Sequence, residues 1–219
     1  MTEEQFAVLK ERSKRLKAPD EIARILGGRG FMLAGGALTK DDSPKDFDIY
    51  GVGRAIDVPN LKWMLVDVLA KSSNAITTVV DGQVVQFCSY WKESPQKTIE
   101  AFDFAHCQAG AVFDGEGRVV DVVATEAFWE SEEIGATWYT GSEYPLSSLM
   151  RCMKFHKRGL FKDNAHKASA LSILCDIVKR GFEDDEDFRD QCASVSESFC
   201  KLNGNDADEL FELLKKKGT

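Results

Sequence analysis

The sequence predicts an α+β protein: a mixed, mostly antiparallel sheet flanked by helices, followed by a small helical bundle. Three observations carry that expectation. Apolar residues recur at helical spacing up to Leu26, follow strand-like runs between Phe31 and Val123, and return to purely helical spacing from about Pro145. Asp81-Gly82 and Asp114-Gly115-Glu116-Gly117 sit between strand-like runs as hairpin turns do, so the flanking strands pair antiparallel. The 219 residues suffice for two units, and the Thr140-Gly141-Ser142 segment marks the boundary, giving residues 1–140 and 141–219.

Taken in order, Phe6, Leu9 and Leu16 give a charged first helix over Glu3–Lys17, and Pro19, Ile22, Ile25 and Leu26 give a second, closed by Gly27 and Gly28. Both read as surface-facing. Phe31-Met32-Leu33-Ala34 is a short strand that stops at Gly35-Gly36, and Asp46–Val52 alternates as a second strand. Asp57 and Pro59 start a helix carrying Leu61, Met64, Leu65 and Val68. Ala75–Val80 and Val84–Tyr90 form a hairpin, Pro95–Ala101 a helical turn, and Phe102–Val112 with Arg118–Val123 another strand pair. Phe128, Trp129, Trp138, Tyr139 and Tyr144 read as an aromatic-rich linker suited to an interdomain core. Four amphipathic helices follow, through Leu146–Met153, Leu171–Val178, Phe188–Phe199 and Ala207–Leu214.

Composition narrows the function. With 28 Lys+Arg against 36 Asp+Glu the net charge is −8, which argues against a surface built to wrap nucleic acid broadly but permits a local basic site. No run approaches the roughly 18 apolar residues of a membrane span, and Met1–Lys17 is charged throughout, so a soluble cytoplasmic protein with no membrane partner is expected. Six cysteines without a C-x-x-C pair, and three histidines without an H-E-x-x-H, leave zinc unsupported. Any metal must be held by carboxylates.

The informative stretch is Gly35-Gly36, nine residues, then Asp46-Phe47-Asp48-Ile49. On a strand, Asp46 and Asp48 share a face with Cα atoms about 6–7 Å apart, while Phe47 and Ile49 turn to the core. Carboxylates so spaced can share a pair of hard cations, as two-metal phosphoryl transfer requires. Two glycines let a turn approach a phosphate chain and donate backbone N–H groups to it. Phe102-Asp103-Phe104 repeats the acid-between-apolars pattern and supplies a third carboxylate.

Gly35-Gly36-x9-Asp46-Phe47-Asp48-Ile49 resembles the signature of the polymerase-β-like nucleotidyltransferase superfamily, over about residues 22–125. Its wording is similar to tRNA-end nucleotidyltransferases, poly(A) polymerases and related phage-encoded proteins. The resemblance implies a nucleotidyltransferase palm at 1–140, two Mg²⁺ (or Mn²⁺) ions on Asp46, Asp48 and Asp103, and a nucleoside triphosphate contacted by Gly35 and Gly36. Thr39 and Lys45, within the nine-residue spacer of the motif, are further candidates for the nucleotide. The chain departs from the tRNA-end enzymes in one place: Ala37-Leu38-Thr39 stands where they carry Arg-Asp. The implied reaction moves a nucleoside monophosphate to an acceptor hydroxyl and releases pyrophosphate. An RNA 3′ end, tRNA foremost, ranks first as acceptor; a protein or small-molecule acceptor and a non-catalytic nucleotide-binding module are the alternatives.

Two basic stretches complete the reading. Arg151, Lys154 and Arg158 fall within about 60° of one another on a helix, with Lys162, His166 and Lys167 downstream. The resemblance makes Arg151 and Lys154 candidates to grip the triphosphate, beside the alternative of a solvated helix face. Lys10, Arg12, Lys14, Arg15 and Lys17 could hold an RNA acceptor, but solubilising the first helix is the favoured role. Tyr50, two residues past Asp48, could contact a nucleotide or close the edge of the site. Nothing in the sequence sets an oligomeric state.

Overall fold

The strands are β1 (Phe31–Ala34), β2 (Phe47–Gly51), β3 (Val68–Lys71), β4 (Ala75–Val80), β5 (Gln83–Cys88), β6 (Ala109–Phe113) and β7 (Val119–Ala124). They form one seven-stranded sheet in the order β3-β4-β5-β2-β1-β6-β7 in a computed structural model. The described residues are 1–41, 44–61, 65, 67–72, 74–184, 187–188, 192 and 195. They fall into two units, Met1–Gly135 and Ala136–Thr219. The sheet is mixed because β2 pairs with β5 in parallel, while the other pairs are antiparallel. A parallel pair needs a long crossover, and residues 52–82, with α3 (Val58–Leu61), β3 and β4, provide it.

Alternation sends Phe47 and Ile49 of β2, Leu33 of β1 and Val85 and Phe87 of β5 into the main core. Leu9 and Leu16 join them from α1 (Glu3–Ser13) and the turn after it, Ile22 from α2 (Pro19–Ile25), and Phe128 from α5 (Glu126–Ile134). The two opening helices, expected to be surface-facing, thus bury a full apolar stripe. The opposite face carries a smaller cluster of Met32, Ala34 and Val112 with Ile99 of α4 (Pro95–Glu100), packed by Tyr50 and Phe102.

Local chemistry explains the element ends. Thr2 and Gln5 exchange hydrogen bonds as a capping box for α1. Asp81 and Gly82 both adopt positive φ, 47° and 72°, the conformation that matches a two-residue turn to strand twist in the β4–β5 hairpin.

The structure corrects the sequence reading at four places. Val68 belongs to β3 and not to the helix begun at Asp57, whose described part ends at Leu61; Met64 lies outside the described residues. The strand expected over Phe102–Val112 begins only at Ala109, because Ala105–Cys107 winds into a 3₁₀ turn. The supposed linker around Phe128 and Trp129 is α5, started by Thr125, whose Oγ1 accepts from the Phe128 amide at 3.1 Å, and ended at Gly135.

The fourth correction concerns the second unit, where α6 (Pro145–Lys157) and α7 (Ala165–Arg180) pack together. The stripe expected to face inward on α7 is exposed: Leu171 by 63%, Val178 by 82%, with Leu174 and Cys175 open as well. Ile173 and Ser169 point inward instead. Polar pairs lie on that side too: Ser169 Oγ accepts from the Tyr139 amide at 3.1 Å and the Tyr139 hydroxyl donates to Asp176 Oδ2 at 2.9 Å. The expected helix through Cys192 and Phe199 lies mostly, and that through Ala207–Leu214 wholly, outside the described residues.

Because Phe128 is fully buried in the sheet core, Phe128→Ala is expected to cost about 3–5 kcal/mol. Urea denaturation checks this; a loss below about 1 kcal/mol would show that Phe128 does not anchor α5 in the core.

Candidate functional site

The site grows from the register of three central strands. Ala34, the last residue of β1, lies opposite Asp48 on one side and opposite Gly110 on the other. Directly opposed residues share a face, so Asp48 stands on the face of the smaller cluster, half-buried, with Tyr50 two residues on. Immediately after Ala34 the chain winds into a 3₁₀ turn, Gly35–Leu38, with Gly35 at φ 81°. A Cβ at Gly35 would stand 3.3 Å from Asp48 Oδ2. The glycine therefore serves twice, supplying a left-handed backbone and leaving room for the carboxylate. Gly36 is exposed, with nothing within 4 Å of where its Cβ would be. Its backbone is open to a ligand.

Asp103 reaches the same neighbourhood by another route. It is 5% exposed and lies in a bend between α4 and the 3₁₀ turn Ala105–Cys107, not on a strand as the sequence suggested. The preceding Phe102 packs its ring 5.3 Å from that of Tyr50, on the face that Asp48 shares, and the two 3₁₀ turns lie against each other. Gln108 fixes this segment: its side-chain amide donates to the Phe102 carbonyl at 2.8 Å and its oxygen accepts from Thr125 Oγ1 at 2.8 Å.

The remaining candidates are distributed differently. Asp46 and Lys45 are exposed at the entrance to β2, one and two residues before the strand begins. Thr39 closes the glycine turn, its hydroxyl donating to the Gly36 carbonyl at 2.9 Å. Arg151 and Lys154 lie on α6 in the second unit, where the Arg151 guanidinium stands 6.0 Å from the centre of the Phe155 ring. In that unit burial pushes the Cys152 thiol up, which suits a packing residue better than a nucleophile.

Hard oxygen ligands from Asp46, Asp48 and Asp103 suit Mg²⁺ or Mn²⁺. Among the described residues, no group of three or more His, Cys, Asp or Glu side chains is gathered closely enough to hold a metal ion. There is thus no all-protein cage there. Magnesium rarely needs one: it is commonly held by one or two carboxylates, with waters and substrate phosphates completing its shell. The half-buried Asp48 beside an open glycine turn fits that mode.

Sequence reasoning missed the residues that hold the turn in place, Arg12, Arg15, Lys40 and Glu132. One signal was present, since Arg12 follows the buried Leu9 by three residues and so lies on the packed side of α1.

Solved structures resemble this arrangement as a whole. A CCA-adding enzyme in its apo form I superposes with a TM-score of 0.55 at 13% identity, over 90% of this chain and 49% of that one. The Thermotoga maritima CCA-adding enzyme complexed with tRNA gives 0.53 at 14%, over 90% and 52%. A tRNA nucleotidyltransferase complexed with a primer tRNA and an incoming ATP analogue gives 0.52 at 13%, over 90% and 60%. The likeness shows the fold: the chain has the nucleotidyltransferase-like architecture. It spans about half the length of the first two structures and three fifths of the third. No protein-family model matches it, and no curated protein does.

Gly35→Ala is expected to destabilise the chain by about 1–2 kcal/mol through left-handed strain, and to displace the Asp48 carboxylate. Thermal unfolding checks the first effect and a crystal structure of the variant the second; an unmoved Asp48 would show that the glycine serves the backbone alone.

Proposed function

We propose that the chain is a metal-dependent nucleotidyltransferase that moves a nucleoside monophosphate from a nucleoside triphosphate to an acceptor hydroxyl. The observation that carries this reading is the left-handed Gly35 turn set against Asp48 Oδ2 at the end of β1, within a nucleotidyltransferase-like fold. Gly36, open to solvent, presents backbone to the triphosphate, and Thr39 keeps the turn closed. Asp46, Asp48 and Asp103 are the carboxylates for two Mg²⁺ or Mn²⁺ ions. When bound, such ions neutralise phosphate charge and lower the pKa of the attacking hydroxyl. Lys45, at the entrance to β2, is a candidate for further positive charge on the triphosphate.

The acceptor hydroxyl gives up its proton to solvent, its oxygen forms a new bond to the α-phosphorus, the bond from that phosphorus to the bridging oxygen breaks, and pyrophosphate leaves carrying the electron pair. We rank an RNA 3′ end first as acceptor, tRNA foremost, supported by the tRNA and nucleotides bound in solved structures of this fold. Among the described residues, no helix is long and apolar enough to cross a membrane, and a cytoplasmic setting suits an RNA substrate.

The test is incubation with each labelled nucleoside triphosphate, Mg²⁺ or Mn²⁺, and total RNA. Wild type is expected to label RNA, and Asp48→Asn and Asp46→Ala to lower transfer by at least about 100-fold, the scale of losing one electrostatic group in a transfer site. Full transfer by either variant, or no transfer by wild type to RNA, protein or small molecule, overturns the reading.

A further inference from the structure

Five consecutive residues following the glycine pair, 37–41, have backbone groups bound by side chains from distant elements. Arg15 Nη1 donates to the carbonyls of Ala37, Thr39 and Asp41 at 3.1, 2.7 and 2.8 Å. Arg12 Nη1 donates to the Leu38 carbonyl at 2.8 Å. From the other side, Glu132 of α5 accepts from the Lys40 amide at 3.1 Å, and its own carbonyl accepts from Lys40 Nζ at 2.7 Å. Arg12 and Glu132 join these two supports through an ion pair of 2.7 Å, with side chains only 16% and 12% exposed. The end of α1 is tied in turn to β5, for Gln83 donates to the Arg15 carbonyl at 2.8 Å and accepts from the Lys17 amide at 2.7 Å.

We propose that Arg12, Arg15 and Glu132 form a positioning network that sets the conformation of the segment Gly35–Asp41, and through it the triphosphate-binding turn. This rests on the nucleotidyltransferase reading and goes beyond it, because none of the three residues is among those assigned to the nucleotide or the metal ions. It also reassigns two of the five charges in the basic run of the first helix, which spend their donors on protein carbonyls and not on RNA phosphates. The chemistry suits the task. A guanidinium presents several donors in a fixed plane and stays charged, so one arginine can hold several carbonyls at a defined separation. Carbonyls that leave water need such partners. A turn held from both α1 and α5 presents its open Gly36 in one geometry, so a ligand does not have to order it on binding.

The experiment compares wild type with Arg15→Ala by hydrogen exchange of the Gly35–Asp41 amides, thermal unfolding and NMP-transfer kinetics. Expected are at least tenfold faster exchange in that segment and at least a tenfold higher KM for the nucleoside triphosphate. The kcat is expected to stay within threefold, with Arg15→Lys recovering most of the loss. A KM rise at near-constant kcat reports lost ground-state binding, which a general loss of fold does not produce. Unchanged exchange, or faster exchange with an unchanged KM, overturns the proposal, as does weaker RNA binding with exchange unaltered. Should Arg15→Ala fail to fold, Glu132→Gln applies the same readouts from the α5 side. If wild type transfers nothing, the nucleotidyltransferase reading falls, while the exchange result still decides whether the network holds the segment.

Discussion

The pairing of Ala34 with Asp48 is the constraint on which the rest of the site depends. A shift of one residue between β1 and β2 would turn Asp48 into the core and expose Phe47 and Ile49 on the opposite face. Core burial forbids that shift, because Phe47, Ile49, Leu33, Val85 and Phe87 all belong to one apolar cluster. The carboxylate is thus placed by the hydrophobic residues on either side of it. The glycine follows from the same register: with Asp48 Oδ2 next to the end of β1, only a residue lacking Cβ can turn there at φ 81° without crowding it.

A turn of this kind is a weak element alone, since the 3₁₀ hydrogen-bond geometry is poor and a short segment has little apolar surface. Its support comes from elements far away in sequence. Arg12 and Arg15 precede it by more than twenty residues, and Glu132 follows it by more than ninety. Long-range anchoring ties the turn to the order of the whole first unit, because α1 and α5 are themselves fixed through Leu9 and Phe128 in the main core. Core packing and turn geometry are therefore one problem in this protein, which explains why charged residues on α1 and α5 are withdrawn from solvent.

Much of this was legible beforehand. Alternation exposed β2 with Asp48 on it, turn chemistry gave the β4–β5 hairpin, and the glycine pair marked the end of β1. The failures have physical causes. Asp103 was assigned to a strand because Phe102-Asp103-Phe104 alternates as a strand does, yet Gln108 binds the Phe102 carbonyl and the chain coils before β6 begins. On α7 the apolar period marks Leu171 and Val178, which are exposed, while the buried side carries Ile173 together with Ser169 and Asp176, whose side chains bind the Tyr139 amide and hydroxyl. Periodicity counts apolar residues. It cannot count satisfied polar ones.

The net charge of −8 takes on a different meaning once side chains are placed. Overall acidity appears unfavourable for a phosphate-rich substrate, but fields act over about a Debye length, roughly 8 Å at physiological salt, so the local arrangement outweighs the sum. In the first unit Arg12 is paired with Glu132, and Arg15 faces carbonyls, so both are committed internally. Beside the glycine turn both guanidinium groups thus serve the protein, and the exposed Gly36 backbone faces solvent there. On the proposed reading, divalent ions held by Asp46, Asp48 and Asp103 would reverse the sign of the site and favour a metal–nucleotide complex over free phosphate or unspecific polyanion. In that light the acidity of the chain is compatible with its proposed substrate and contributes to the choice among substrates.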